Sequence, residues 1–162
     1  NKNLKNFTKP IDRIKTSLYE KQILSFISAA LNHLSQRNKI IYELLRSDLI
    51  NSDQRNFLEY LRTDDLMDKK VNELYKLEHN PEFIKIIDLC SDIKIYQLFP
   101  YSKPSFDPQQ AYQEVLESVK NLNTRLLNLK KINKSLVEFE KNSSQLNWNE
   151  LQKINRELSE DV

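Results

Sequence analysis

Few side chains in this chain could do chemistry, and each has to be weighed by its surroundings. The only thiol is Cys90, and the only imidazoles are His33 and His79. A cysteine beside a histidine can act as a nucleophile, because the imidazole takes the thiol proton and leaves a thiolate. Cys90, however, follows Ile86-Ile87-Asp88-Leu89, and a cysteine among aliphatic neighbours behaves as a small hydrophobe. His33 falls at the C-terminal end of a helical pattern, where a partial positive charge suits the dipole. His79 precedes a helix start and is expected to be exposed. Asp64, Asp65 and Asp68 form a small acidic cluster, which helix-start carboxylates explain without a metal. No Cys-x-x-Cys, His-Glu-x-x-His or EF-hand spacing occurs. Glu138 and Glu140 flank Phe139 in the manner of a solvated helix face. Trp148 offers a stacking platform for a base, but an aromatic anchor of a hairpin or an interface is the reading adopted. No catalytic residue, cofactor site or metal site is assigned to this chain, which is read as non-catalytic.

The elements that would position these groups are helices. The 162 residues contain no glycine and only five prolines. Sharp turns, and loops that let a backbone close on phosphate, rely on glycine; its absence points to an all-α chain without a glycine-rich nucleotide loop. Asp107-Pro108 pairs an N-cap carboxylate with proline at the first helical position. From there Tyr112, Val115, Val119, Leu122, Leu126, Leu129, Ile132, Leu136 and Phe139 recur at steps of three and four. That spacing predicts one apolar stripe along a single helix from Gln109 to about Lys141, roughly 50 Å long at helical rise. Asn142-Ser143-Ser144-Gln145 breaks the pattern. A second, shorter helix is expected from Asn147, with Asn147 and Glu150 as a capping box and Trp148, Leu151, Ile154 and Leu158 as its stripe.

Upstream, residues 1–15 carry five Lys and Arg against Asp12 alone, a net +4 in a chain of net +2. They are read as a basic linker, able at most to make a weak contact with nucleic acid. Thr16 or Ser17 is the expected cap of a first helix, whose Leu18, Ile23, Leu24, Ile27, Ala30, Leu31 and Leu34, widened by Phe26 and Ala29, predict a heavily buried element. Short helices then follow through Ile40 to Leu45, from a cap at Ser52 through Phe57 to Leu61, from Asp64 or Asp65 through Leu77, and from Asn80-Pro81 through Leu89. Ser91 to Phe99 fits either a strand or a sixth helix; a lone strand would lack a partner, so a helix is favoured. Phe99, Tyr101 and Phe106 in the proline-rich connector should pack on the bundle. One cysteine excludes an internal disulfide framework and fits a reducing cytoplasm. No apolar run reaches the length of a membrane span, and the N-terminus lacks a signal-peptide core. The chain opens on Asn1 rather than Met, so a piece of a longer protein is expected.

Several stretches, in order, resemble the C-terminal, helicase-binding domain of bacterial replicative primases. They are Tyr19 to Ile27, similar to that family's first helix; Asp48 to Leu58, leading into a helix that carries Leu-Phe; Gln110 to Leu116, similar to the opening of its long helix; and Leu146 to Leu158, similar to its terminal hairpin. Where many members have a His-Pro-Glu-Leu-like turn, this chain has Asn32-His33-Leu34 without the proline. The resemblance implies an all-α fold: a compact helical bundle, one long helix and a C-terminal helical hairpin. The expected divisions are a linker over 1–15, a bundle over 16–106, a connecting part of the long helix over 107–128 that completes the bundle, and a hairpin over 129–162. It further implies a protein-interaction domain that binds the hexameric replicative helicase and brings RNA-primer synthesis to the replication fork of a bacterial cytoplasm. Upstream would lie a zinc-binding domain and a magnesium-dependent polymerase domain, a nucleotidyltransferase that makes RNA primers. The helicase-binding residues expected are Leu136, Phe139, Trp148, Leu151, Ile154 and Leu158, with Arg156 and Glu157 as polar rim contacts. Self-association through the long helix or hairpin is a further partnership the pattern allows. The alternative is a helical nucleic-acid-binding or helicase-associated adaptor domain.

Overall fold

The computed structural model describes residues 10–142, 153 and 155–158. Those residues are all-α, with no strand among them. In chain order the helices are α1 (Pro10–Asn32), α2 (Arg37–Leu45), α3 (Ser52–Leu61), α4 (Val71–Leu77), α5 (Pro81–Cys90), α6 (Ile93–Leu98) and α7 (Pro108–Asn142), with 3-10 turns at Leu34–Gln36 and Pro100–Ser102. Contacts divide the chain into two compact units, Asn1–Asn123 and Thr124–Val162.

α1 is the centre of the first unit. It packs against α2, α5, α6 and the 3-10 turn at 100–102, and Ser25 to Ala30 are all fully buried. A helix buried all round needs small residues where its neighbours approach, and Ser25, Ser28, Ala29 and Ala30 supply them. Ser28 Oγ donates to the Cys90 carbonyl at 2.8 Å. Ser25 gives its proton to the Gln22 carbonyl, which leaves Tyr101 to donate to Ser25 across 2.6 Å. Tyr101 is buried and stacked on Phe26 at 6.3 Å between centroids, with Phe99 at 6.0 Å on its other contact. The connector aromatics thus seat the end of α6 against α1, with Phe106 half-buried beyond them.

The absence of glycine has a structural consequence. No described residue has a positive φ, so none of α1 to α6 ends in a left-handed cap, the usual closure for orphan C-terminal carbonyls. At the ends of α1 and α2 arginines close them instead. Arg37 is fully buried; its Nε donates to the Ala30 carbonyl at 2.9 Å and Nη2 to that of Leu31 at 2.7 Å, both in the last turn of α1. Its Nη1 reaches the carbonyls of Leu66, Met67 and Lys69 at 3.1, 3.0 and 2.7 Å. Burial lowers the guanidinium to about 10, against an opposing pull from Asp68, so it stays charged at neutral pH. Arg55 does the same for α2, donating to Leu45 and Ser47 at 2.9 and 3.2 Å.

Three helix starts differ from expectation. α1 begins at Pro10, not after Thr16 or Ser17, so the basic stretch 1–15 is not a linker throughout: residues 10–15 are helical. Proline suits a first helical position because its fixed φ is helical and its missing N–H has no partner to lose there. α3 is capped by Asn51, with Ser52 as its first residue; Asn51 Oδ1 accepts from Gln54 N at 2.8 Å and Gln54 Oε1 accepts from Asn51 N at 3.0 Å. α4 starts at Val71, not at Asp64 or Asp65. The intervening chain turns so that three of its carbonyls can converge on Arg37, which a continuous helix would forbid. The fifth helix starts as expected, with Asn80 Oδ1 accepting from Glu82 N at 3.0 Å, and the segment from Ser91 to Phe99 holds the favoured helix, capped by Asp92 Oδ1 accepting from Lys94 N at 2.9 Å. Leu18, Leu77, Leu89 and Leu98, expected on core faces, are exposed; the last three sit on short helices, which bury only the positions turned toward their neighbours.

Candidate functional site: the two faces of α7

Asp107 Oδ2 accepts from Gln110 N and its carbonyl from Ala111 N, each at 2.9 Å, and α7 then runs unbroken for 35 residues. Ala111, Val115, Val119 and Leu122 are its buried positions; Ala111 takes the inward place expected of Tyr112, which is half-buried with the Lys39 ammonium 5.6 Å over its ring. Burial stops at Leu122, and the two units meet in sequence between Asn123 and Thr124, a few residues before the expected division at 128–129.

The apolar pattern does not stop there. Val115, Leu122, Leu129 and Leu136 are seven apart, and at 3.6 residues per turn such a series keeps to one side of the helix with a slow drift. Leu129, Ile132, Leu136 and Phe139 therefore share a face, yet they are 57, 56, 55 and 39% exposed. An apolar stripe that is uncovered over three turns of helix is unusual enough to mark an interaction surface. Of the residues named from sequence, Leu136 and Phe139 lie on this stripe. Arg156, Glu157 and Leu158 are helical and exposed. Trp148, Leu151 and Ile154, and with them the expected hairpin turn and its capping box, lie outside the described residues.

The opposite face of the same segment is basic. Between Thr124 and Asn142 there are five Lys and Arg against two Glu, a net +3. Lys130, Lys134 and Lys141, at steps of four and seven, point away from the stripe, with Lys131 beside them and Glu138 as the one carboxylate among them. Glu140 sits on the other flank of Phe139. Lys131, Lys134, Glu138 and Lys141 are exposed. This lysine face was not singled out from sequence, although the charge count over one helix would have revealed it.

The groups that could do chemistry elsewhere are otherwise engaged. Cys90 is buried, and desolvation pushes its thiol well above the usual range, the reverse of an activated nucleophile. His33 is buried rather than merely seated at a helix end; its Nε2 lies 2.7 Å from the Tyr101 carbonyl and donates to it, while Nδ1 has no partner. His79 is exposed. Among the described residues no group of three or more His, Cys, Asp and Glu is placed to hold a metal. A cavity of about 540 Å³ is lined by Leu31, Asn32, Lys70, Ser91 and Tyr96 among others. Its Asn32 amide is spent on Ser28, Tyr96 and the Ser102 carbonyl at 3.3, 3.2 and 2.8 Å, which makes it a joint between α1 and the connector. No helix of the described residues is long and apolar enough to cross a membrane. Comparison with family models, curated proteins and solved structures finds no match to this chain.

Proposed function

We propose that this chain is a protein-interaction module: the helicase-binding domain of a bacterial replicative primase, which docks on the hexameric helicase and brings primer synthesis to the fork in the cytoplasm. The observation that carries the reading is the apolar stripe of α7, which continues uncovered from Leu129 to Phe139 after the same side of the helix has been buried at Val115 and Leu122. Interfaces are held by a few apolar anchors whose truncation costs ~2 kcal/mol or more each, and Leu136 and Phe139 are the anchors in this segment. The ordered resemblance from Tyr19 to Leu158 supplies the identity of the partner. A terminal hairpin carrying Trp148, Leu151, Ile154 and Leu158, rimmed by Arg156 and Glu157, belongs to this reading. So does a zinc- and magnesium-dependent primer-synthesising enzyme, of which the chain would be the non-catalytic part.

The test is calorimetric titration of the full chain into the hexameric replicative helicase of the same bacterium. Saturable heat is expected, reduced at least thirtyfold in affinity by Leu136→Asp, since ~2 kcal/mol corresponds to that ratio. Silence of the unaltered chain would sink the helicase assignment.

A further inference from the structure

The lysine face of α7 calls for a partner different from the one that covers the stripe. A solvated helix face ordinarily mixes both signs of charge. Here Lys130, Lys131, Lys134 and Lys141 share their side of the helix with one carboxylate, Glu138, and with the exposed Leu127 and Val137. Among the described residues, Lys131, Lys134 and Lys141 make no ion pair, although Glu138 lies within a helical turn of the last two. Lys131, Lys134 and Lys141 lie within about three turns, roughly 15 Å of helix, and their ammonium groups repel one another and are relieved by an anion that spans them. A single phosphate or carboxylate cannot do that; a polyanion can.

The geometry also selects among polyanions. A helix lying on an anionic membrane sinks its apolar face into the acyl region and sets its lysines beside the headgroups. Here the lysines are on the side opposite Leu129, Ile132, Leu136 and Phe139, where headgroups would not reach. A protein docked on the stripe likewise leaves them open. We propose that the lysine face of α7 contacts the phosphate backbone of a nucleic acid, leaving the apolar face free for a protein partner. The contact is independent of sequence, because lysines on phosphates position a strand without reading its bases. It rests on the charge pattern alone and stands whether or not the partner on the apolar face is a helicase.

Fluorescence anisotropy of the full chain with a labelled oligothymidylate and with a labelled duplex, across a salt series, tests it. The probe variant is Lys131→Gln/Lys134→Gln/Lys141→Gln, which keeps good helix formers at exposed positions and should retain the parent circular dichroism. The unaltered chain is expected to bind one or both oligonucleotides with an affinity that falls as salt rises. The variant should bind about tenfold more weakly, with a log–log salt slope smaller by about 2 on the single strand, three contacts at about 0.7 each. A control variant, Lys2→Gln/Lys5→Gln/Lys9→Gln, separates this face from the basic leader. Loss of binding in the control with none in the probe variant assigns the contact to the leader and overturns the proposal. Binding to neither oligonucleotide overturns it, as does binding to phosphatidylglycerol vesicles alone. Titration of the probe variant into the helicase keeps the two readings apart: undiminished heat is expected, since the apolar face is untouched.

Discussion

Arg37 joins two pieces of chain, the last turn of α1 and the turn at 66–69. Arg37→Met removes the guanidinium from five buried or half-buried carbonyls, one of which, that of Leu66, still accepts from Lys69 N, so unfolding in urea should show a loss of roughly 3 kcal/mol or more. Arg37→Lys should recover only part of this, because an ammonium has three donors on one atom instead of a planar fork. The pH dependence has a definite sign. The folded guanidinium, lowered by burial to about 10, loses its proton before the unfolded one, so this group leaves stability flat below about pH 10 and raises it only above that. Cys90 behaves oppositely. Its thiol is raised from 9.0 by burial, so the stability it contributes is complete below pH 9 and declines above it, as the unfolded thiol ionises first. In native buffer at pH 8 a chromogenic disulfide reagent should leave Cys90 unlabelled over the time in which it reacts fully in urea; prompt native labelling would contradict the burial.

At the scale of the element, the helix ends show how far local pattern reaches. Asn80-Pro81 and Asp107-Pro108 are strong start signals because cap and proline act within one turn, and both helices begin there. At α3 the expected cap, Ser52, gave way to its neighbour: Asn51 and Ser52 are both good caps, and the cap falls to the side chain that meets a glutamine three positions on. Asn51 does, with Gln54. Asn51→Ala should therefore cost about 1 kcal/mol and Ser52→Ala only a few tenths, measured by thermal melts of the two variants; the reverse order would restore the cap to Ser52. The sixth helix, ambiguous with a strand by alternation alone, is settled by Asp92 capping it and by Ile95 turning inward. The fourth start failed for a different reason. Asp64 and Asp65 look like helix-start carboxylates, but a cation 27 or more residues earlier in the chain takes the carbonyls of their turn, and no local rule anticipates that.

For the molecule as a whole, α7 belongs to two units with different demands. Up to Leu122 its apolar residues are part of a core; from Thr124 onward they are not. Val115→Asp buries an unpaired carboxylate and should lower the melting temperature sharply or prevent folding. Leu136→Asp replaces an exposed side chain, so amide exchange in α1 should be unchanged while the proposed partner binding weakens. Parallel loss of α1 protection in both variants would mean that the stripe is core after all.

What the sequence by itself determined is whatever depends on neighbours within a turn or two: the all-α class from the missing glycine and the three-and-four spacing, the helices opened by Asn-Pro and Asp-Pro, the buried character of α1, and the length of α7. Only the tertiary structure decided which of several equivalent residues would bear the load. Nothing local separates Arg37 from Arg46 or Lys39, or the buried Leu122 from the exposed Leu129 seven positions later. Periodicity states that a face is apolar; whether another element covers it depends on chain distant in sequence. That is why the stripe of α7 was legible from its residues, whereas the residue at which burial ends, Leu122, was not.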